Sequence, residues 1–447
     1  MIWLAAPIIA SRVLSTIQES VDTIFLGRLG EAQLAAPVAV WPLLMLFAGV
    51  NFSVGAATSA MISQLVGARK FSDASKVAGE LWGTVILLGV AAAIAVSVMA
   101  PLVFKVISLP PQVYPLSLAY LWVEAVSVPF MFTLFFFTGL SSSVGDTRKA
   151  FRASASSSII NLVLDPILIF GLFGLPRMEV IGAALATSIS RILAGGYVAI
   201  LLVKGSLGFQ VLPKPPSATT LSLAFRIGMP VAIQQVLTSS GFLVMTGIVA
   251  GLGATVMAAY NVGIAIIHII QSVTMGFSIA MATMVGQSLG AGLKGRALEV
   301  ALRGQSLVFI TLSLGAAFIV AGRGILARIF TSDPEVAGEA VRMIEIFAPS
   351  IPFLGLMFTS NGVGRGSGST LPPSIINVAR LWALRIPLSY TLAYLAGLGS
   401  DGVWLGMSYS NIISGLVAFL WVAKGGWARS TVIKRLVKRK REKLALR

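Results

Sequence analysis

The chain has 447 residues, of which 56% are hydrophobic and 11% are charged, and its mean hydropathy is +0.91. No soluble protein of this length needs so much apolar sequence, so the composition predicts a polytopic membrane protein. The net charge of +17 does not indicate a nucleic-acid-binding protein, because ten basic residues lie between Lys424 and Arg447 and most of the others occupy short gaps between apolar runs.

Apolar stretches long enough to cross a bilayer recur along the whole chain. A hydrocarbon core about 30 Å thick needs about 20 apolar residues per helix. The first stretch lacks a small-residue cleavage site after it, so it is interpreted as a retained helix and not as a signal peptide. Cutting at Gly, Pro and charge clusters predicts twelve helices, at residues 2–27, 34–61, 77–105, 112–140, 154–173, 180–203, 221–250, 255–285, 298–328, 336–362, 373–397 and 402–423.

Basic residues cluster in alternate gaps between these predicted helices. By the positive-inside rule, this asymmetry predicts that both termini are cytoplasmic. The basic tail, 426–447, either contacts anionic lipid or serves only as a solvated topology anchor. The basic set of gaps holds Arg69, Lys70, Lys76, Arg148, Lys149, Arg152, Lys204, Lys214, Lys294, Arg296, Arg303 and Arg365.

The two halves of the chain match each other at one offset, 223 residues. Six helices is an even number, so both halves begin on the same side of the membrane and are parallel repeats. We therefore expect two six-helix lobes, 1–203 and 221–425, joined by the polar linker 204–220. Such duplication is typical of transporters whose lobes rock around a central cavity. Matched pairs include Pro7 with Pro230, Gly30 with Gly253, Gln64 with Gln287, Pro129 with Pro352, Gly145 with Gly368 and Thr147 with Thr370.

Acidic residues in the first half are not repeated in the second. Glu19 and Asp22 stand opposite Phe242 and Met245, and Asp165 stands near Arg385 after a slip of the offset to about 220. Intramembrane carboxylates are costly and normally face a cavity or a partner. The first half is therefore predicted to carry a polar site that the second half lacks.

Spacing along the predicted helices places these side chains on shared faces. Glu19 and Asp22 are three residues apart, and Asn161 and Asp165 are four apart. Pro166 leaves the carbonyl of Leu162 without its helical partner. If the two faces meet, the site offers two carboxylates and an amide, which can bind a proton or hold Na⁺ through oxygen ligands. A hydrogen-bonded helix crossing without a role in turnover is the simpler alternative.

Four sequence motifs together resemble the multidrug and toxic compound extrusion (MATE) transporters. They are Asp22-Thr-Ile-Phe-Leu-Gly-Arg-Leu-Gly, Gly145-Asp-Thr-Arg, Asn161-Leu-Val-Leu-Asp-Pro and Gly182-Ala-Ala-Leu-Ala-Thr187. The resemblance implies an all-α fold with twelve transmembrane helices, in two lobes that form a V-shaped central cavity. It also implies export of organic, often cationic, compounds in exchange for H⁺ or Na⁺.

In the archaeal-type branch of that family, the coupling site lies in the first lobe. The resemblance carries its ligands onto Asp22, Asp165, Asn161 and Thr187 of this chain, which would also be the metal ligands if the ion is Na⁺. Glu19 is added as a candidate from its spacing. Another branch couples through carboxylates of the second lobe, but this chain has Gln234 and Gln235 at the relevant part of its seventh helix.

Several further residues are candidates for substrate contact or gating. Gln234 and the single histidine, His268, lie within predicted spans, and Met131 and Phe135 suit an adaptable cavity wall. His268 equally suits an interhelical hydrogen bond. Glu124 and Glu345 are explained as well by pairing with arginine as by transport.

These observations predict a secondary active antiporter that exports organic, cationic or amphiphilic compounds, multi-pass in a prokaryotic plasma membrane. A monomer with no cofactor is expected, and an enzyme is disfavoured because no nucleophile, base and metal converge in the sequence. A flippase for lipid or lipid-linked oligosaccharide is the main alternative, and it needs Arg12, Arg191 and Arg385 to face the cavity. An ion channel is the third possibility, but it needs a continuous polar path.

Overall fold

The computed structural model describes residues 1–429 and Val432, with the backbone alone for residues 45–48. Throughout this part of the chain the regular structure is helical and contains no strand. Most of the predicted basic tail, 426–447, and its predicted lipid contact therefore lie outside the described residues.

The first of two compact units spans Ala6–Gly228. Within it, the apolar residues of α2 and α3 pack on α5, and α6 packs along α7. Its helices are α1 (Ile2–Gly27), α2 (Glu31–Gly67), α3 (Phe71–Val106), α4 (Tyr114–Ala125), α5 (Val128–Val144), α6 (Thr147–Phe170), α7 (Glu179–Val203) and the beginning of α8 (Ala218–Ala250).

The second unit contains Met1–Ala5 and the chain from Met229 onward. Its helix α13 packs against α9, α10 and α16. Two π-helical turns, Arg380–Arg385 and Thr391–Leu395, interrupt the run that precedes α16. The helices are α9 (Ala254–Gly290), α10 (Lys294–Ala321), α11 (Arg323–Phe330), α12 (Pro334–Phe347), α13 (Ile351–Ser367), α14 (Leu371–Ala379), α15 (Ile386–Tyr390) and α16 (Ser400–Ala423).

Each of the twelve predicted spans coincides with one helix or with a run of consecutive helices. Among the described residues, eight helices are long and apolar enough to cross a membrane, or ten if each of two bent pairs counts as one span. The remaining two spans are helical but fall below that measure. The first, α1, carries Arg12, Glu19 and Asp22, and the other is the run of short helices from Leu371 to Leu395. The prediction of an all-helical polytopic membrane protein is confirmed.

The polar linker between α7 and α8 is fastened to the first unit. The backbone nitrogen of Lys214 donates to the carbonyl of Gly79 on α3 at 3.0 Å. Glu80 accepts a hydrogen bond of 2.7 Å from the hydroxyl of Ser217, just before α8 begins. Leu207 and Val211 are buried. The linker is therefore a packed part of this unit.

Close contact between α9 and α13 depends on glycine. A Cβ atom at Gly362 would overlap the backbone oxygen of Ser278, and one at Gly366 would overlap that of Ala282. The missing side chains let the two helix backbones approach, as small residues commonly do between membrane helices. This packing builds the centre of the second unit.

We expect Gly362→Ala to lower the thermal midpoint of the purified protein, because the added methyl group meets backbone that cannot rotate away. Overpacking of this kind costs about 1–3 kcal/mol. The midpoint can be followed in detergent by tryptophan fluorescence.

Gly315→Ala is the matched control, since Gly315 lies inside α10 and no atom stands within 4 Å of the place that its Cβ would occupy. There the better helix propensity of alanine, about 1 kcal/mol, is gained without a clash. Equal midpoints for the two variants would contradict the assignment of Gly362 as a packing contact.

Candidate functional site

Four of the residues singled out in the first half meet at one place in the first unit. Asp22 lies on α1, Asn161 and Asp165 on α6, and Thr187 on α7. Asp165 and Asn161 are fully buried, and Thr187 is nearly so. Helix α1 and the consecutive helices α6 and α7 thus contribute polar side chains to one cluster, which is called the acidic cluster below.

The amide of Asn161 connects α6 to α7 within this cluster. In the amide orientation that gives both ends a hydrogen-bond partner, the nitrogen donates to Oδ2 of Asp165 at 3.1 Å. The amide oxygen then accepts from the hydroxyl of Thr187 at 3.2 Å. An amide is the natural bridge here, because it carries a donor and an acceptor on one planar group. The bridge fixes the orientation of the Asp165 carboxyl group.

The carboxyl groups of Asp22 and Asp165 lie within hydrogen-bonding range of each other. Two ionised carboxylates have no hydrogen to share, because each is then an acceptor only. A hydrogen bond between these two groups therefore needs a proton on one of them. Gln18, one turn before Asp22 on α1, also hydrogen-bonds Asp22.

Close packing of α6 on α7 brings Thr187 within reach of Asn161. A Cβ atom at Gly182 would stand 2.5 Å from the backbone oxygen of Leu168, so only glycine allows this approach. The motif that begins at Gly182 therefore has a structural function at its first residue and presents a polar group at its last. The four-residue spacing of Asn161 and Asp165 then aligns both side chains on the α6 face that meets α1 and α7.

A second group of charged residues stands beside the acidic cluster. Arg191 on α7 pairs with the buried carboxylate of Glu124 on α4 at 2.5 Å, and it also lies within electrostatic range of Asp22. Tyr120 is within electrostatic range of Glu124, Arg191 and both aspartates. The surroundings of Tyr120 thus contain three carboxyl groups and one guanidinium, an excess of acidic groups.

Glu19 does not join this cluster. It is exposed on α1 and lies within electrostatic range of Arg12. Glu19 is three residues before Asp22 and Gln18 is four, and both spacings place a side chain close to Asp22 on a helix surface. In the structure, Gln18 is the one that hydrogen-bonds Asp22. Glu345 pairs with Arg323 at 2.6 Å, which supports the arginine-pairing explanation for that residue as for Glu124.

The four predicted substrate or gating residues are divided between the two units. Met131 and Phe135 lie on α5 of the first unit, where Met131 is half-buried and Phe135 is exposed. In the second unit, Gln234 is half-buried on α8 and the imidazole of His268 is exposed on α9. Their roles stay predictions.

The second unit carries a buried basic cluster at the equivalent place. Arg385 donates to the hydroxyl of Ser410 at 3.2 Å, and both Arg385 and Arg380 donate to Oδ1 of Asn411, at 2.7 and 3.2 Å. Ser410 is the equivalent of Thr187 at the offset of 223. With the offset slipped to about 220, Arg385 stands opposite the carboxyl group of Asp165.

Three parts of these sites were not predicted from the sequence: Gln18, Tyr120 and the basic cluster. Gln18 has a usable signal, since it precedes Asp22 by four residues on the same helix face. Tyr120 has none, because its place beside Asp22 depends on how α4 packs. Among the described residues there is no group of three or more His, Cys, Asp or Glu side chains suited to a metal ion.

Comparison with known proteins identifies the family of the chain. A family model described as MatE matches residues 7–167 and again residues 230–391. The two matches begin 223 residues apart, which is the offset that aligns the halves.

Full-length relatives cover nearly the whole chain. It is 27% identical over 441 residues to a probable multidrug resistance protein, NorM, of Thermotoga maritima, covering 97% of this chain and 94% of that protein. The probable multidrug resistance protein YoeA of Bacillus subtilis is 27% identical over 429 residues, with 94% and 93% covered.

The fold is also found among solved structures. The Vibrio cholerae MATE transporter VcmN in its bent form superposes with a TM-score of 0.86 at 23% identity, covering 95% of both chains. The family model alone accounts for most of the sequence, in both halves. The chain therefore belongs to the MatE family, the multidrug and toxic compound extrusion transporters.

Proposed function

We propose that this protein is a secondary active antiporter that exports organic, cationic or amphiphilic compounds, and that a cation moving inward through the acidic cluster drives export. Relatives named as multidrug resistance proteins support multidrug efflux as its activity. The protein would act as a monomer in a prokaryotic plasma membrane, with both termini in the cytoplasm. The observation that carries the proposal is the shared hydrogen bond between Asp22 and Asp165.

The coupling ion is proposed to be H⁺. Only a protonated carboxyl group can donate between Asp22 and Asp165, so the close approach of these two groups supports a site that holds a proton. Na⁺ would need the same oxygens to point at one ion, with Asn161 and Thr187 as further ligands. The mutual contact of the two carboxyl groups favours the proton, and the gradients tested below distinguish the two ions.

Weak packing of α1 offers a way for that proton to change the structure. None of the residues 9–25 of α1 is buried, whereas Leu26 at its end is buried against Ala36 and Ile169. The middle of α1 is therefore held to α6 chiefly by the polar contacts of Gln18 and Asp22. Two like charges about 4 Å apart repel by roughly 4 kcal/mol at an effective dielectric constant of about 20. Loss of the proton would replace an attractive contact between α1 and α6 by a repulsive one.

The proposed cycle uses this switch. The carboxyl groups take up a cation from outside, the packing of α1 in the first lobe changes, and substrate is released. Substrate rebinds from the cytoplasm only after the cation has left inward. A cation can drive these steps only because the two states bind it with different affinity. A membrane potential of 100 mV supplies about 2.3 kcal/mol for each charge, in addition to any concentration gradient.

The flippase alternative is weakened by the arginines that it requires. Arg191 is paired with Glu124, and Arg385 is buried within the second unit. The ion pair leaves Arg191 without a free charge for a lipid head group. Efflux of small organic compounds is the function that the acidic cluster supports best.

Replacing either aspartate of the pair should abolish gradient-driven transport. We expect Asp22→Asn and Asp165→Asn to lower the uptake of a fluorescent organic cation by proteoliposomes to the level of protein-free liposomes, because an amide cannot release a proton. Insertion and the thermal midpoint should be close to those of the original chain.

Glu31→Gln is the matched control, since Glu31 is an exposed acid at the start of α2, outside the acidic cluster. It should transport normally. Full activity in either aspartate variant, measured as the initial rate, would exclude the acidic cluster as the coupling site.

Imposing one gradient at a time identifies the ion. We expect a proton gradient of either direction to drive the fluorescent cation across the membrane against the direction of proton flow. A Na⁺ gradient at constant pH should have no effect. Each pH unit supplies about 1.4 kcal/mol per proton. Transport that follows Na⁺ alone would overturn the proton assignment but leave antiport intact.

The predicted topology can be tested directly because the chain has no cysteine. Single cysteines at Lys70, in the predicted cytoplasmic loop between α2 and α3, and at Ser108, in the loop after α3, should differ in accessibility. In intact cells a membrane-impermeant maleimide should label Ser108→Cys but not Lys70→Cys, and permeabilised cells should label both. The reverse pattern would place both termini outside the cytoplasm.

A further inference from the structure

The basic cluster of the second unit holds two buried guanidinium groups side by side. Arg380 is 4% exposed and Arg385 is 2% exposed. Both donate to the same atom, Oδ1 of Asn411, whose nitrogen donates to the hydroxyl of Ser350 at 3.0 Å. Two positive charges therefore converge on one neutral oxygen.

A π-helical turn creates this convergence. The turn spans Arg380–Arg385 and has the two arginines at its ends. Residues five apart lie about 140° from each other around an α-helix, which has 3.6 residues per turn. The wider π turn, with hydrogen bonds between residues five apart, brings them to nearly the same side. Because π turns are uncommon and occur often at functional sites, the geometry points to a use for the pair.

The two charges lack the partners that buried arginines normally have. Among the described residues, no carboxylate forms an ion pair with Arg380 or Arg385, and the acceptors that they contact are the neutral oxygens of Asn411 and Ser410. The Nε atom of Arg380 is buried and has no hydrogen-bond partner. Arginine stays protonated in proteins, and a buried charge is costly unless it is paired. The two guanidinium groups thus have no negative charge paired with them among the described residues, and Nε of Arg380 has no hydrogen-bond acceptor.

The ion pair between Arg191 and Glu124 in the first unit gives a partly buried arginine a carboxylate partner. There the guanidinium of Arg191 reaches the buried carboxylate of Glu124 at 2.5 Å. The position equivalent to Glu124 at the offset of 223 is Phe347, so the second half cannot supply the same partner. The missing charge must come from outside the cluster.

We propose that Arg380 and Arg385 form an anion-binding site in the second unit, which takes a phosphate or carboxylate group. Two guanidinium forks suit such planar or tetrahedral oxyanions, because each fork can donate two parallel hydrogen bonds. The donors for the anionic oxygens are the unpartnered Nε of Arg380 and the guanidinium N–H groups that share Oδ1 of Asn411. The anion is either a free ion or the acidic group of a larger organic ligand. The site does not depend on the proton coupling proposed above.

Equilibrium binding to the purified full-length protein, without any gradient, tests the site separately from transport. We expect inorganic phosphate or acetate to bind saturably in titration calorimetry, in a buffer of a bulky sulfonate. Arg380→Gln and Arg385→Gln should each weaken that binding by about tenfold or more, since charge-assisted hydrogen bonds are lost. Arg385→Lys should bind with intermediate affinity, because it keeps the charge without the fork.

Arg365→Gln is the matched control. Arg365 lies on α13 of the same unit and donates to Ser278, away from the cluster. It should bind both anions as the original chain does. Gel filtration and tryptophan fluorescence verify that each variant is folded.

A fluorescent pair of ligands then distinguishes the two sources of the anion. Flavin mononucleotide carries a phosphate that riboflavin lacks, with the same ring system. Tighter binding of the mononucleotide, lost in Arg380→Gln, assigns the site to the acidic group of an organic ligand. Equal binding of the two flavins, together with binding of inorganic phosphate or acetate, assigns it to a free ion. If neither inorganic phosphate nor acetate binds, or if the glutamine variants bind them like the original chain, the proposal is wrong.

Discussion

The contact between the carboxyl groups of Asp22 and Asp165 is the interaction on which the proposed coupling in the first unit depends. It joins α1, whose middle is otherwise weakly packed, to α6, which the Asn161 bridge joins in turn to α7. A single proton decides whether this contact is attractive or repulsive. The buried apolar residues of α1 are Ala5, Ile8 and Leu26, near its two ends, so the contact between the carboxyl groups acts on a stretch with little apolar packing.

The two halves of the molecule share an architecture and differ in charge at its most polar point. In the first half an amide, two carboxyl groups and a hydroxyl converge, and in the second two guanidiniums converge on an amide and a hydroxyl. Thr187 and Ser410 occupy equivalent positions in the two arrangements. After duplication, the interhelical framework was evidently retained while the charged residues diverged. A transporter with two such repeats can carry an acidic cluster in one repeat and a basic cluster in the other, which suit ligands of opposite charge.

Much of this could be predicted from the sequence because its signals are local. The apolar runs marked the helices, one offset aligned the halves, and the unrepeated acids pointed to Asp22 and Asp165. Thr187 came only from the family resemblance, since a threonine in an apolar helix carries no signal by itself. Glu19 was included because its three-residue spacing from Asp22 suits a shared helix face as well as the four-residue spacing of Gln18 does. Only the packing of α1 against α6 distinguishes the two residues. The π turn was missed for a related reason. The residues Arg-Leu-Trp-Ala-Leu-Arg suit an α-helix equally well, and the extra width of the turn arises from tertiary contacts.

The linker between α7 and α8 has a consequence for how this chain can be cut, tagged or split. A connection between repeats is ordinarily the first place chosen for such changes, because exposed and mobile segments tolerate nicking and insertion. Here the segment buries Leu207 and Val211, and its backbone bonds to Gly79. Glycines at positions 79 and 83 leave room for its carbonyl oxygens. A protease would have to peel the segment from α3 before reaching it, and an epitope inserted there would disturb the first half. Two separately expressed halves would assemble best if the whole segment, up to the start of α8, stayed with the first.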